Sequence, residues 1–379
     1  MRSRIIMCML LGVFLLTAST VVANYPLFRY DEQRTGNVSG DGPQTSQILW
    51  STDIGGLVDS SPVVAHGKVF VSNWWIGWNF KGGLYCLNES TGEIVWNNSI
   101  GGGGGASTAA VEGDRVFIGS LTGDLYCINA SNGTTIWNKT IEHSPAYWGV
   151  ASSPLVYENM VFVTTFSNNA SNNGTLHVFD FNGTEVWNLS TGDTFYYTSP
   201  AVADGKLYFA GNLTNHSLFC VDIATREMQW RFNASTQIKS TPAISDDTIL
   251  FASADRLYAV NAADGTELWN HSLSCAMSSP AVSSGKVYIG SSDSTLYCYD
   301  AQSGAELRRF LANGPIYSSP VVAHNTVYFG TNTANGTIYA VDAADGTLRW
   351  SYSLNPPSGR YYNIMSSPAV SDGIPCVFG

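Results

Sequence analysis

Residues 278–310, SSPAVSSGKVYIGSSDSTLYCYDAQSGAELRRF, contain four short runs that predict β-strands, which we call A to D. The residues alternate with a period of two, which is typical of a strand whose two faces differ. Small turn residues, Ser284-Gly285 between A and B and Ser303-Gly304 between C and D, separate the runs. The Ser-Ser-Pro triplet that begins strand A is called the opener, and proline is tolerated there because no ladder bond from its nitrogen is needed.

This unit recurs along the chain. Openers start at residues 60, 107, 152, 198, 240, 278, 318 and 366, and only Ser107-Thr108-Ala109 lacks the proline. An aromatic residue ends strand D at Trp50, Trp96, Trp137, Trp187, Trp230, Trp269, Phe310 and Trp350, at spacings of 39 to 50 residues. This period, with strand-like alternation in between, favours propeller blades over helical arrays. The sequence therefore predicts an all-β protein, an eight-bladed β-propeller of four-stranded antiparallel blades.

The eighth repeat is short. After its opener it offers only residues 366–370 and 374–378 as strands. We expect residues 48–53 to supply its outer strand, which would close the ring with strands from both ends of the sequence and remove free sheet edges. The abrupt ending favours a truncated copy.

The N-terminus resembles an export signal, with Arg2 and Arg4 before an apolar run from Ile5 to Leu16 and small residues up to Ala23. We expect a signal peptide over residues 1–23 and a single propeller domain over 24–379. A retained anchor is the alternative, but the run is short for a membrane span. The expected location is secreted or at the cell surface, without membrane insertion after cleavage.

Asn-X-Ser/Thr sequons support export and a glycoprotein. They begin at Asn37, Asn88, Asn97, Asn129, Asn132, Asn138, Asn169, Asn173, Asn182, Asn188, Asn212, Asn215, Asn233, Asn270 and Asn335. The net charge of -11, with no basic patch, argues against a nucleic-acid partner.

Most of the conspicuous residues predict packing. A large flat tryptophan near the rim fills the wedge between neighbouring blades. Cys86, Cys127, Cys220 and Cys298 share one position of strand C, where other repeats have alanine. A position that accepts cysteine or alanine is a small buried one, so free buried thiols are expected in place of disulfides. No Cys-X-X-Cys or paired histidines indicate a metal site.

The unit Ser-Ser-Pro-Ala-Val, Gly-Lys-Val-Tyr-Ile-Gly and Leu-Tyr-Cys-Tyr-Asp resembles the pyrroloquinoline-quinone-type (PQQ-like) propeller repeat. The segment from Tyr25 to Gly36 also resembles the leader before the first repeat in secreted members. This family includes quinoprotein dehydrogenases and BamB-type assembly lipoproteins, so the resemblance implies the fold but leaves the function open. The quinone-dependent dehydrogenases carry an adjacent cysteine pair, a tryptophan floor and metal-holding acids. No two cysteines are adjacent here, and the acids mostly lie in turns. We therefore expect no cofactor, no metal and no catalytic residue.

The best candidate site is the mouth of the central channel, on the face where the D–A and B–C loops lie. Aromatic side chains there suit a sugar or peptide ligand because flat rings stack on apolar faces. The candidates are Trp74, Trp75, Trp78, Tyr147, Trp148, Tyr196, Tyr197, Tyr317, Tyr361 and Tyr362. The alternative is that these rings pack the loops themselves.

The sequence thus predicts a non-catalytic extracellular or cell-surface scaffold that binds a protein or carbohydrate partner through its loop face. Two alternatives remain: a quinoprotein-type oxidoreductase using PQQ, and a purely structural envelope module.

Overall fold

The computed structural model describes residues 25–74, 82–101, 104–142, 149–166, 174–211, 215–275, 277–354, 363–371 and 374–376. Every regular element within these ranges is a β-strand, as the sequence predicts. None of the described residues forms a helix long and apolar enough to cross a bilayer.

The strands follow the predicted grammar. Blade 1 consists of β2 (Val63–Ala65), β3 (Lys68–Asn73), β4 (Gly83–Asn88) and β5 (Ile94–Asn98). Blade 2 consists of β6 (Ala110–Glu112), β7 (Arg115–Gly119), β8 (Asp124–Asn129) and β9 (Thr135–Thr140). Blade 3 consists of β10 (Leu155–Tyr157), β11 (Met160–Thr164), β12 (Thr175–Asp180) and β13 (Glu185–Ser190). Blade 4 consists of β14 (Ala201–Ala203), β15 (Lys206–Ala210), β16 (Ser217–Asp222) and β17 (Met228–Asn233).

The later repeats have the same lengths. Blade 5 consists of β18 (Ala243–Ser245), β19 (Thr248–Ala252), β20 (Arg256–Asn261) and β21 (Glu267–Ser272). Blade 6 consists of β22 (Ala281–Ser283), β23 (Lys286–Gly290), β24 (Thr295–Asp300) and β25 (Glu306–Leu311). Blade 7 consists of β26 (Val321–Ala323), β27 (Thr326–Gly330), β28 (Thr337–Asp342) and β29 (Leu348–Ser353). Outside the blades lie β1 (Asn37–Val38), β30 (Ala369–Ser371) and β31 (Ile374–Cys376).

Each blade is an antiparallel sheet in the order A-B-C-D, with strand D outermost. Strands A to C are mostly buried, and strand D is largely exposed. The cores lie between blades: the side chains of one sheet pack against those of the next, for example Tyr208 of blade 4 with Phe251 of blade 5. The burial of both faces explains why strands B and C are rich in aliphatic and aromatic residues.

The propeller has seven blades, so the prediction of eight is wrong. Among the described residues, the last opener leads to the two-stranded sheet β30–β31, and β30 contacts strand A of blade 1 and of blade 7. Residues 48–53 form no strand, contrary to expectation. Trp50 nevertheless packs on Gly92 and donates a hydrogen bond from Nε1 to the carbonyl of Glu89 at 2.8 Å. An opener and a docked tryptophan can thus occupy a position in the ring without forming a four-stranded sheet.

A circle of hydrogen bonds joins all eight openers. The backbone N–H of the second opener residue donates to the hydroxyl oxygen of the second residue in the next opener, at 2.9 to 3.1 Å. The order is Ser61, Thr108, Ser153, Ser199, Thr241, Ser279, Ser319, Ser367 and back to Ser61. We call these eight residues the hydroxyl ring. Its closing bond, from Ser367 to Ser61, spans the two ends of the repeat array.

Four tryptophans of the series, Trp96, Trp137, Trp230 and Trp269, pack on the next blade as expected and donate to its carbonyls at 2.9 to 3.2 Å. Trp187 packs on the core between blades 3 and 4, and Trp350 donates to the carbonyl of Pro43 in the N-terminal segment. Trp269 pairs with Ala259, covers Gly304 of the next blade and donates to the carbonyl of Ala301 at 3.0 Å. Gly304 has a φ of +72° and lies under the indole, where a Cβ would be 2.7 Å from Trp269 Cδ2, so glycine is required there.

In blade 6 this position belongs to Arg308, and the assignment of Phe310 was wrong. Arg308 pairs with Cys298, covers Gly346 and donates to the carbonyl of Ala343 at 2.9 Å. Phe310 lies two residues further on and packs on the rings of Phe329 and Tyr339. A guanidinium on a long aliphatic stem can replace an indole because it also combines a flat surface with an N–H donor.

Five cysteines, Cys86, Cys127, Cys220, Cys275 and Cys298, are free and buried, which confirms the interpretation of the strand C cysteines as packing residues. Cys86, Cys127, Cys220 and Cys298 lie in strand C as predicted, and Cys275 lies in a D–A loop. Burial raises the pKa of Cys127 and Cys220 to about 11, so both remain protonated thiols at neutral pH.

Residues 25–38 close one end of the central channel, and we call them the leader plug. Its backbone carbonyls accept hydrogen bonds from backbone N–H groups of strand A. In each of six blades the donor is the second residue after the opener. These donors are Val64, Val111, Val202, Ile244, Val282 and Val322. β1 then pairs in parallel with β26. The leader therefore bonds to six of the seven blades, which ties the ring together from one face.

Two fully buried arginines hold this plug in place. Arg29 donates to the carbonyls of Pro280 and Pro320 at 2.5 and 2.6 Å. Arg34 donates to the carbonyls of Pro200 and Pro154 at 3.0 and 3.1 Å. Proline carbonyls at the start of strand A would otherwise lack partners, and an unmade buried hydrogen bond is costly. Burial lowers the pKa of each arginine to about 10, and each stays charged at neutral pH.

Replacing Arg29 with methionine keeps the aliphatic stem but leaves two buried carbonyls without donors. We expect a loss of roughly 2–4 kcal/mol in the free energy of unfolding, measured by urea titration. The matched control is Arg231→Met on exposed strand β17, where the change should stay below about 0.5 kcal/mol. Equal midpoints for both variants would contradict the anchoring role of Arg29.

Candidate functional site

The channel narrows to a cavity of about 80 Å³ at the hydroxyl ring. Seven members of the ring line it, together with Phe28 of the leader plug. The residue that precedes each opener also lines it; these are Asp59, Ala106, Ala151, Tyr197, Lys239, Met277, Tyr317 and Met365, which we call the mouth residues. The repeat itself produces this convergence, because equivalent residues of successive repeats meet at the axis of a propeller.

The hydroxyl ring presents hydrogen-bond donors to this cavity. Each ring oxygen accepts an N–H from its neighbour, and within the described residues none of the ring hydroxyls donates to a protein atom. A hydroxyl whose oxygen already accepts a bond is polarised toward donation. All eight residues are at most 5% exposed, so their O–H groups require acceptors from water or from a ligand. A cavity of this size holds a few waters or the end of one side chain.

The mouth residues are unevenly distributed around the axis. Met277, Tyr317 and Met365 follow one another on one side, and Ala106 and Ala151 leave space on the other. Asp59 and Lys239 are the charged members, and they stand four positions apart in a circle of eight, on opposite sides of the channel. The mouth therefore combines adaptable apolar surface with one acid and one base.

Trp74 orients Asp59. Its backbone pairs with Leu57, and its indole Nε1 donates to Asp59 Oδ2 at 2.8 Å. Burial raises the pKa of Asp59. The hydrogen bond from Trp74 lowers this pKa, but by a smaller amount, so the pKa is raised overall. The predicted site residue Trp74 thus lies beside the cavity and supports a residue that lines it.

Tyr197 lines the cavity in a strained conformation. Its φ is +65°, a region that costs a non-glycine residue about 1–2 kcal/mol. Its ring contacts Tyr196 edge-on at 4.3 Å between centroids, and Tyr196 in turn packs on Phe166 at 5.6 Å. Burial is the main cause that raises the pKa of Tyr197, and the neighbouring Tyr196 and Asp59 raise it further. The phenol is therefore neutral at physiological pH.

Of the ten predicted site residues, the structure brings Tyr197 and Tyr317 into the cavity and places Trp74 and Tyr196 next to lining residues. Trp75, Trp78, Tyr147, Trp148, Tyr361 and Tyr362 lie outside the described residues. The arginines of the leader plug were missed, although two arginines five residues apart in a chain poor in charge were a usable signal.

A family model described as "Outer membrane protein assembly factor BamB" matches residues 80–194, 172–277 and 253–374. The chain belongs to this family. The match confirms the PQQ-like repeat resemblance, and it overlaps itself because the repeats are similar to one another.

Individual relatives of this BamB-like propeller are distant. Tetrathionate hydrolase of Acidithiobacillus ferrooxidans is 22% identical over 68% of this chain and 46% of its own length. BamB of Yersinia pestis is 32% identical over 35% of this chain and 36% of its own. The chain thus spans less than half of these two relatives. A europium-containing methanol dehydrogenase superposes with a TM-score of 0.78 at 13% identity, covering 91% of this chain and 87% of that one, which shows a shared fold.

The described lining does not fit the quinone that such dehydrogenases imply. The cavity is several-fold smaller than the roughly 300–1,000 Å³ of usual cofactor sites. Within the described ranges, no three His, Cys, Asp or Glu side chains lie close enough together to hold a metal ion.

Burial of Asp59 predicts a pH dependence of stability. Its pKa is raised on folding, so ionisation opposes folding; this penalty is absent below the ordinary pKa of 3.8 and grows as pH rises. Asp59→Asn, which keeps an oxygen for Trp74, should therefore melt above the wild type at neutral pH and equal it in acid. Trp74→Phe removes the N–H that lowers the pKa of Asp59. In that background, Asp59→Asn should therefore raise the melting temperature by more than it does in the wild type. A variant that is never more stable than the wild type would show that the carboxylate is well solvated.

Proposed function

We propose that this chain is a non-catalytic scaffold of the cell envelope that binds a partner protein at the channel mouth. The proposal includes an export signal over residues 1–23 and one propeller domain over 24–379. The observation that carries it is the composition of the mouth residues: methionines, tyrosines and one charge of each sign surround a set of buried hydroxyl donors. Tyrosine and methionine are enriched at protein interfaces because they adapt to a partner at low entropic cost.

The leader plug supports a single docking face. It fills the end of the channel opposite the mouth residues with a phenylalanine and two buried arginines. A partner can then enter only from the mouth. The small cavity admits one side chain, and the ring hydroxyls favour one with acceptor oxygens, such as an acidic or amide side chain.

The relatives support a protein over a carbohydrate as the partner. Several are named outer membrane protein assembly factors, a name that concerns proteins. Stacking on sugars would rest on Trp75, Trp78 and Trp148, which lie outside the described residues. Of the two tyrosines among the mouth residues, Tyr197 already uses part of its ring in an edge-on contact with Tyr196.

Site-specific photocrosslinking in the native host tests this function. A benzophenone amino acid at Tyr317 should give discrete protein adducts, because this residue lines the mouth. The matched control is Leu307 on β25, which is 43% exposed at the rim and should give none. Lys239→Glu should reduce the Tyr317 adducts several-fold by reversing a charge of the mouth while leaving the melting temperature unchanged.

Equal labelling at both positions, or no protein adduct at Tyr317, would refute the channel mouth as the docking face. Recovery of the protein only in the cytoplasm would refute the envelope location.

A further inference from the structure

The rim of this propeller consists of seven exposed sheet edges. Strand D of every blade is the outermost strand, and among the described residues no strand pairs with its outer edge. These strands also carry exposed aliphatic side chains; Val95, Ile136, Val186 and Leu268 are 39% to 48% exposed. An exposed edge with apolar side chains is a template for pairing with another copy of the chain, and natural proteins block such edges.

The residue that follows the tryptophan position on strand D shows a pattern that the sequence alone did not assign. In four blades it is a sequon asparagine: Asn97, Asn138, Asn188 and Asn270. The register shows that these positions are equivalent, because they pair with Tyr85, Tyr126, His177 and Tyr258 at the same place on strand C. Four of fifteen sequons therefore coincide on one structural position.

Two of the other three blades carry arginine at this position. Arg231 pairs with Phe219 and Arg309 with Tyr297, in the same register as the asparagines. Both arginines are exposed. A charged side chain on an edge strand is one established way to prevent edge-to-edge pairing. A sequon asparagine or an arginine thus occupies this position in six blades, and Ser351 occupies it in blade 7.

Two sequons at the turns between strands C and D have a local structural explanation. Asn88 Oδ1 accepts the N–H groups of Ser90 and Thr91, and Asn129 Oδ1 accepts those of Ser131 and Asn132. These residues form Asx turns between strands C and D, for which asparagine is favoured in any case. The strand D asparagines make no such turn. Asn188 donates to the exposed Glu185, and Asn270 donates to the exposed Glu267 and accepts from Arg256, in each case through its side chain.

We propose that Asn97, Asn138, Asn188 and Asn270 are N-glycosylated and that their glycans block the open edges of strand D. In the reaction, the amide Nδ2 forms a bond to the anomeric carbon of an oligosaccharide carried on a lipid diphosphate. The bond from that carbon to the diphosphate breaks, the lipid diphosphate leaves, and the amide loses one proton. The bulky, hydrated sugar then stands on the rim, away from the channel mouth. This inference rests on the export that is part of the proposed function.

Glycopeptide mass spectrometry of the full chain from its native host tests occupancy. We expect a glycan at Asn97, Asn138, Asn188 and Asn270. A quadruple variant, S99A/T140A/S190A/S272A, keeps each asparagine but removes the acceptor motif. It should shift from monomer to oligomers in light scattering, at least several-fold in mean mass. The matched control, S90A/S131A/T184A, disrupts turn sequons and should remain monomeric.

A rescue variant separates edge blocking from a general effect on folding. Arginine at the four asparagine positions copies blades 4 and 6 and should restore the monomer without any glycan. If the protein is exported but these asparagines carry no glycan, the proposed glycosylation is refuted and the proposed function is not. Occupied sites with a monomeric quadruple variant would overturn the edge role. Cytoplasmic protein with bare asparagines would overturn both this inference and the envelope location.

Discussion

The hydroxyl ring is the constraint on which the structure depends. Each blade offers one backbone N–H and one hydroxyl oxygen at the same height on the axis, and each neighbour accepts and donates in turn. A single such bond contributes only about 0.5–1.5 kcal/mol net, but a closed circle has no free end. Only serine or threonine fits the requirement, since the acceptor must be short, polar and buried. The ring consequently places the residue before each opener at the channel mouth, whichever amino acid that residue is.

The leader plug uses the same ring from its other side. Opener prolines have no N–H but offer carbonyls, and Arg29 and Arg34 bind four of these carbonyls from four blades. The planar guanidinium reaches two acceptors at once, which a lysine ammonium on a single stem does less well. One end of the channel is thereby filled, and the variable mouth residues are left at the other. The repeated opener residues thus hold the ring together, while the residues that precede them at the mouth differ from blade to blade and are available for binding.

The sequence predicted the all-β fold, the blade positions and the buried cysteines, because these depend on local periodicity and a repeated motif. The sequence-based predictions failed for features that are determined by contacts between residues far apart in the chain. Phe310 and Arg308 have the same parity on strand D, so alternation could not tell which replaces the tryptophan; the register with Cys298 does. Counting openers gave eight blades, whereas the last opener joins the ring with two strands in the part of the chain that the structure describes. The partners of Arg29 lie 251 and 291 residues away, beyond any local pattern.

Native-state hydrogen exchange at the ring amides tests the closed circle most directly. We expect the amide of Ser319, which donates to Ser367 of the last repeat, and the amide of Ser61, which donates to Thr108 of blade 2, to exchange as slowly as that of Thr241 in a complete blade. The amide of Ser367, which makes the closing bond, should match them. Exchange of Ser319 and Ser367 that is orders of magnitude faster than that of Thr241 would show an open ring and contradict the account.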